Sequence, residues 1–527
     1  MKLIRLVAAA TLGVAAQGVA AHEPVPPLAI AKPVPAPDYE GEARRIVDAL
    51  DATGMVAAVM VDGKVVYTGS FGVLEEGSDN PVTPDTLFPI ASISKAFTTT
   101  ALAILVDRGE LDWDDPVRKY IPEFAMYDPW VSERFTIRDA LTHRSGLPLG
   151  AGDLLIWPDG NAAPSDIVAA LPHLRPTTGF RDGFAYDNLL YVIAGEVIER
   201  VSGKSWSDFV TDEIFTPAGM ANCAADQSRI APGRTVASGH ERAAGETSGT
   251  PVDPRMNFSL TWAAAGGIFC TASDMMVWSK LWLDRGVTAT GTRLVSEKQA
   301  AELWKGVTPV GSGAIPETGG STNLSLYALG WFVRDWEGTP MVTHSGGAPG
   351  STSNLILLPQ ENIAVFAASN DYMSTASAYT RQIADDLVGG RNEDVIAAAA
   401  KANREANDAA LALVSDAISP PADAARPSLP LSAYAGTYRD PWYGNVTISL
   451  RADGLFIDMQ RSAILDGPLT PFAGDTFVAI WPDRTIKADA LVTFEVADGA
   501  VTRMTMKAVS DITDFSYDFH DLDLVKQ

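Results

Sequence analysis

Residues 88–98 read FPIASISKAFT, and the fold turns on whether Ser92 is a nucleophile with Lys95 beside it or an ordinary residue at a helix start. Ser92 and Lys95 stand at i and i+3, so on a helix they share one face a turn apart. A serine hydroxyl attacks poorly unless a base takes its proton. A lysine kept neutral by burial and nearby positive charge can do so, and so can a tyrosine whose pKa such a lysine lowers. The free N–H groups of a helix start add partial positive charge where an oxyanion would form. An isolated Ser-x-x-Lys is more often a capping serine with its lysine in solvent. This one is the only such pair in the chain.

Its surroundings suit a nucleophile. Upstream, GMVAAVMVDGKVVYTGSFG (54–72) is two β-rich runs joined by Asp62-Gly63, a hairpin signal. Downstream, SISKAFTTTALAILVDRGELD (92–112) is apolar at helical spacing and stops at Gly109. Between about 110 and 330, helices such as NLLYVIAGEVIERVSG (188–203) and TASDMMVWSKLWLDRG (271–286) alternate with long polar loops. Strands return late, in LYALGWFV, PMVTHSGG, STSNLILLP and IAVFAASN. Strands at both ends with helices between predict one antiparallel sheet built from distant segments, flanked by helices and carrying a helical subdomain.

Other routes to serine or metal chemistry are missing. The chain has no Gly-x-Ser-x-Gly elbow, no His-Glu-x-x-His among its six histidines, and no phosphate loop ending in Gly-Lys-Ser/Thr. No metal or organic cofactor is implied. Two companions do follow Ser92 in order: FAYDNLLYVIAG, with Tyr186-Asp187-Asn188, and VTHSGGAPG, with His344-Ser345-Gly346-Gly347. With these the chain resembles the serine β-lactamase and penicillin-binding superfamily, nearest its class C and D-alanyl-D-alanine carboxypeptidase branch (peptidase family S12). That branch has Ser-x-x-Lys, then Tyr-x-Asn, then Lys- or His-x-Gly. The resemblance spans about residues 40 to 385 and includes LTHRSGL (141–147) and AAGGIFCTASDM (264–275). Two decoys fail on order and context: Ser78-Asp79-Asn80 precedes Ser92, and Tyr443-Gly444-Asn445 follows the His-Ser-Gly.

The resemblance implies roles. Ser92 is acylated, Lys95 and Tyr186 share the proton transfers, and Asn188 binds the substrate amide. His344, Ser345 and Gly346 line the substrate strand, and the backbone N–H groups of Ser92 and Gly347 form the oxyanion hole. Which of Lys95 and Tyr186 is the base for each step stays open. His344 departs from the lysine usual in β-lactamases. Imidazole is mostly uncharged near neutral pH, so carboxylate recognition should be weaker or pH-dependent, as in D,D-peptidases and D-amino-acid peptidases. His143 reads as a loop-packing residue. The expected activity is amide hydrolysis in small or modified peptides, D-residue-containing or peptidoglycan-like. An esterase of the same fold, or a sensor that binds peptidoglycan or β-lactam without turnover, are the alternatives.

Composition bounds the rest. The chain has 527 residues, 46% apolar and 20% charged, with net charge −25. Nucleic acid and anionic membrane are therefore poor partners; a small peptide or ester substrate remains the expected partner, and sequence leaves the oligomeric state open. Residues 1–21 read as a signal peptide, with Lys2, Arg5, a small-residue apolar run and Val19-Ala20-Ala21 before the expected cut. Losing Lys2 and Arg5 takes the charge from −25 to −25 − 2 = −27. Export to a bacterial periplasm or medium is expected, with no membrane insertion after cleavage. Six prolines make 22–38 an extended arm. The hydrolase domain is expected over 39–390, a helical linker over 391–427, and a small all-β barrel or sandwich over 428–527. Tyr434, Tyr438, Trp442 and Tyr443 could form a ligand patch there but are better read as core packing. The tail DFSYDFHDLDLV (514–525) alternates strongly and predicts the last strand. Cys223 and Cys270 could pair or stay apart as buried thiols.

Overall fold

A computed structural model describes residues 36–253, 256, 260–314, 321–336, 338–389 and 394–527. The expected signal peptide and most of the Pro-rich arm, residues 1–35, lie outside the described residues. Among those described, no helix is long and apolar enough to cross a membrane.

The catalytic domain is built on an eight-stranded antiparallel sheet. Its strands run in the order Lys64–Gly72, Gly54–Val61, Ile363–Ser369, Ser351–Leu358, Thr339–Ala348, Phe332–Trp336, Ser321–Tyr327 and Thr308–Ala314. The N-terminal hairpin thus pairs with strands some 300 residues on, Met55 lying opposite Ser369. At its turn Asp62 and Gly63 both take positive φ, 52° and 69°, as a tight two-residue hairpin needs. Gly54–Val61 is covered on both faces, which is why it is a continuous apolar run rather than an alternating one. Met55, Ala57 and Val59 join the core made with helices Tyr39–Leu50 and Thr375–Val388, while Val56, Ala58 and Met60 face the opposite core. Within 391–427, helix Val395–Ala417 buries Val395, Ile396, Ala399 and Ala400 in the first of these cores. It therefore extends the helical layer instead of merely spanning between domains.

On the other face lies helix Ser94–Asp107, in which every residue from Ser94 to Leu105 is buried. A helix apolar all round belongs in a core, and its threonines are accommodated by hydrogen bonds such as Thr98 Oγ1 to Ala264 O at 2.6 Å. Phe97 stacks on Trp278 with centroids 3.7 Å apart. Cys223 and Cys270 form a disulfide, deciding the choice the sequence left open. Closing a loop of 47 residues removes chain entropy from the unfolded state, on the order of 4 kcal/mol.

Residues Gly436–Lys526 form a closed eight-stranded barrel, shut by pairing of Tyr438 in the first strand with Lys526 in the last. Tyr434, Tyr438, Trp442 and Tyr443 are all buried, so they are core and not a ligand patch. The tail corrects the sequence reading: only Asp523–Lys526 of it is strand. Its alternation has another cause, because residues 514–518 are sandwiched between two bodies. Tyr517 and Phe519 join the barrel's aromatic core, whereas Ser516 and Asp518 bond to the catalytic domain.

Candidate active site

The candidate nucleophile sits on a tight turn. Ser92 lies in a 3₁₀ turn, Ala91–Ile93, that runs into helix Ser94–Asp107. Ala91 holds φ +46°, a left-handed conformation that costs a Cβ-bearing residue on the order of 1 kcal/mol and is retained beside Ser92. The strand Thr339–Ala348 crosses close to this turn. Gly346 makes that approach possible, since a Cβ there would stand 2.3 Å from Ile90 O and 2.4 Å from Ser353 Oγ. Gly346 is itself buried.

Lys95 is fully buried behind Ser92. Its Nζ lies 3.0 Å from Ser92 Oγ, 2.8 Å from Asn188 Oδ1 and 2.9 Å from Ala265 O. Burial pushes its pKa down to about 7, against the opposite pull of Asp153 and Asp187. A neutral amine has two protons and one lone pair. The two oxygens of Asn188 and Ala265 can only accept, so they take both protons and leave the lone pair facing the Ser92 hydroxyl. That is the arrangement a general base requires.

Tyr186 hydrogen-bonds Ser92, and burial raises its pKa. Lys95 Nζ stands over the Tyr186 ring, 4.7 Å from its centroid. Lys95 thus has the geometry of a base, and Tyr186 is a phenol that can give a proton. His143 packs beneath, its ring 4.2 Å from that of Tyr186, and its Nδ1 accepts from the backbone N–H of Asp187 at 3.1 Å.

His344 is buried, with Nδ1–H donating to Ser345 O at 2.6 Å and Nε2 accepting from Tyr327 O–H at 3.1 Å. Burial, then the Lys95 charge, push its pKa down to about 3. It is neutral well below physiological pH, so the pH-dependent cation the sequence allowed for does not arise. Ser345 is exposed to the cleft. Strand Phe332–Trp336 pairs only with residues up to Thr343, which leaves one edge of His344–Ala348 without a strand partner and open to an extended substrate.

Ser92, Tyr186, Asn188, His344, Ser345 and Gly347 all line one cavity of about 270 Å³, at the small end for a ligand site. The sequence reading missed the residues that complete it. Asp153 is wholly buried; its Oδ2 accepts from Asn188 Nδ2 at 2.8 Å and from Ser516 Oγ at 2.9 Å, while Oδ1 has no partner. Burial and the charge of Asp187 raise its pKa to about 8. Asp514, Phe515 and Ser516 of the barrel form a further wall. Tyr372 O–H donates to Asp514 Oδ2 at 3.0 Å. Gly150, at φ +70°, lets the barrel in, for a Cβ there would meet Phe515 O at 2.8 Å. No lysine or arginine lines the cavity among the described residues.

Residues 43–389 match the family model described as Beta-lactamase, and residues 420–526 match a domain of unknown function (DUF3471). Penicillin-binding protein 4 of Amycolatopsis lactamdurans is 31% identical over 355 residues, 65% of this chain and 88% of that protein. An unguisins hydrolase of Aspergillus campestris is 28% identical over 437 residues, 78% of this chain and 77% of its own. The structure of a D-amino acid amidase from Ochrobactrum anthropi SV3, complexed with D-phenylalanine, superposes with TM-score 0.54 at 25% identity, covering 70% of this chain and all of that one (100%).

Proposed function

The chain belongs to the β-lactamase family and is a serine hydrolase; on that premise we propose that it is an exported amidohydrolase that is acylated at Ser92 and cleaves an amide bond in small, D-residue-containing or peptidoglycan-like peptides. The observation that carries this reading is the buried Lys95 amine, 3.0 Å from Ser92 Oγ with a pKa lowered to about 7.

In this mechanism neutral Lys95 takes the Ser92 proton as Oγ attacks the carbonyl carbon. The oxyanion is held by the backbone N–H groups of Ser92 and Gly347. The C–N bond breaks as Tyr186 O–H protonates the departing amine, and Lys95 returns its proton to Tyr186. Water then attacks the acyl-serine by the reverse proton route, restoring Ser92. Asn188 Oδ1 and Ala265 O keep the lysine aimed throughout.

Charge supports an amide with a free amine. The cavity lining includes Asp514 but no lysine or arginine among the described residues, and His344 is neutral. A substrate carboxylate would be unmatched there, whereas an ammonium group would meet the side chain of Asp514. A D-amino acid amidase and an unguisins hydrolase are among the similar proteins, and the first supports a D-amino-acid amide as substrate. The Cys223–Cys270 disulfide suits an oxidising compartment and supports export.

Neutral His344 also favours a second reading, an esterase acting on uncharged acyl groups. The test is intact-protein mass after a fluorophosphonate probe, wild type beside Ser92→Ala, followed by turnover of D-aminoacyl anilides, their N-acetyl forms and p-nitrophenyl esters. Labelling lost in Ser92→Ala, with free-amine D-anilides preferred, is the expected result. Turnover of esters alone would replace the amidase reading with the esterase, and absence of label would defeat both.

A further inference from the structure

Lys95 is aimed only while Asn188 turns its oxygen toward it. Were the amide reversed, an N–H₂ group would face the lysine, and a proton of the neutral amine would lose its acceptor. The orientation is set from behind, because Asn188 Nδ2 donates to Asp153 Oδ2 at 2.8 Å. Asp153 is in turn gripped by the C-terminal barrel. Ser516 Oγ donates to the same Oδ2 at 2.9 Å. Asp518, also of the barrel, accepts from the backbone N–H of Gly152 at 2.6 Å and of Leu154 at 3.0 Å, one on each side of Asp153. Ser516 and Asp518 are both buried, so these bonds are shielded from competing water.

We propose that the barrel completes the catalytic apparatus, with Ser516 as a positioning residue that holds Lys95 on Ser92 through Asp153 and Asn188. The path is continuous, Ser516–Asp153–Asn188–Lys95–Ser92, with no step longer than the 3.0 Å between Lys95 Nζ and Ser92 Oγ. The barrel is thereby more than a cover that limits substrate size: without it the base loses its alignment. This inference rests on Ser92 as nucleophile.

The experiment uses the full chain and follows the rate at which a fluorophosphonate probe acylates Ser92 from acid to alkaline pH, with melting temperature measured on the same samples. In wild type the rate should rise through a pKa of about 7, that of Lys95, to a plateau. Ser516→Ala should melt close to wild type yet lower the plateau about tenfold, the scale of a misaligned base. Ser516→Thr, which keeps the hydroxyl, should restore the plateau. A Ser516→Ala profile that superimposes on wild type overturns the proposal, as does a loss that Ser516→Thr leaves unrepaired. If Ser516→Ala does not fold, Asp153→Asn, which replaces the carboxyl that accepts from Asn188 and Ser516, takes its place, and an acylation plateau equal to wild type there overturns it equally. Wild type that takes no label at Ser92 overturns the nucleophile reading along with this one, whereas labelled wild type with an unmoved Ser516→Ala profile overturns the relay alone.

Discussion

Two walls of the same cleft are made in different ways. The first comes from the catalytic domain and brings Ser92, Tyr186, Asn188 and His344, each inside a short motif that marks itself in the sequence. The second comes from the barrel and brings Asp514, Phe515 and Ser516, which belong to no motif and reach the site only because two domains dock. The first wall holds the reacting groups; the second shapes the space and braces the base. The difference teaches that a site can be legible in its chemistry while its size and alignment stay hidden.

The largest expected effect lies on the first wall. Lys95→Met keeps an unbranched chain in the buried slot but removes the base. Turnover should fall about 10³-fold with folding intact, read as steady-state rate beside melting temperature. Activity within a few-fold of wild type would move the base to Tyr186 and break the division of roles.

Phe515→Ala probes the second wall. Its ring lies 6.4 Å from that of Tyr186 and is 40% exposed. Truncation should widen the cleft, improving kcat/KM about tenfold for bulky acyl groups while small substrates change little. Equal losses for every substrate would mean that Phe515 serves folding and does not set size.

The smallest effect on activity is expected at Asp371, buried behind the cavity-lining Tyr372. Burial raises its pKa from 3.8 to about 6. A folded-state pKa above the unfolded one means stability that is full below the unfolded value and lost as pH rises through about 6. The loss approaches about 3 kcal/mol. Asp371→Asn should flatten the decline in denaturant stability between mildly acidic and neutral pH while leaving turnover nearly unchanged. A slope equal to wild type would show that this carboxyl is already stabilised as the anion.

How much of this was legible follows from the range of each signal. The hairpin at Asp62-Gly63, the helix after Ser92 and the ordered motifs are local patterns, and with them came the catalytic fold and its reacting residues. The tail 514–525 misled because alternation was taken for a strand, when residues 514–518 pack between the barrel and the catalytic domain. Asp153 gave no signal: it opens a short 3₁₀ turn, Asp153–Leu155, and only burial beside Asn188 marks it.

The sequence by itself marked Ser92, Lys95 and the order of their companions as the candidate site, because those groups lie within a few residues of one another or in self-identifying motifs. Tertiary structure alone decided that Lys95 is desolvated enough to be a base, that His344 is neutral, that the two cysteines meet, and that Ser516 reaches Asp153 across 363 residues of chain. The physical reason is common to all four. Burial, charge state and pairing depend on what packs around a group, and that packing comes from segments far away in the chain.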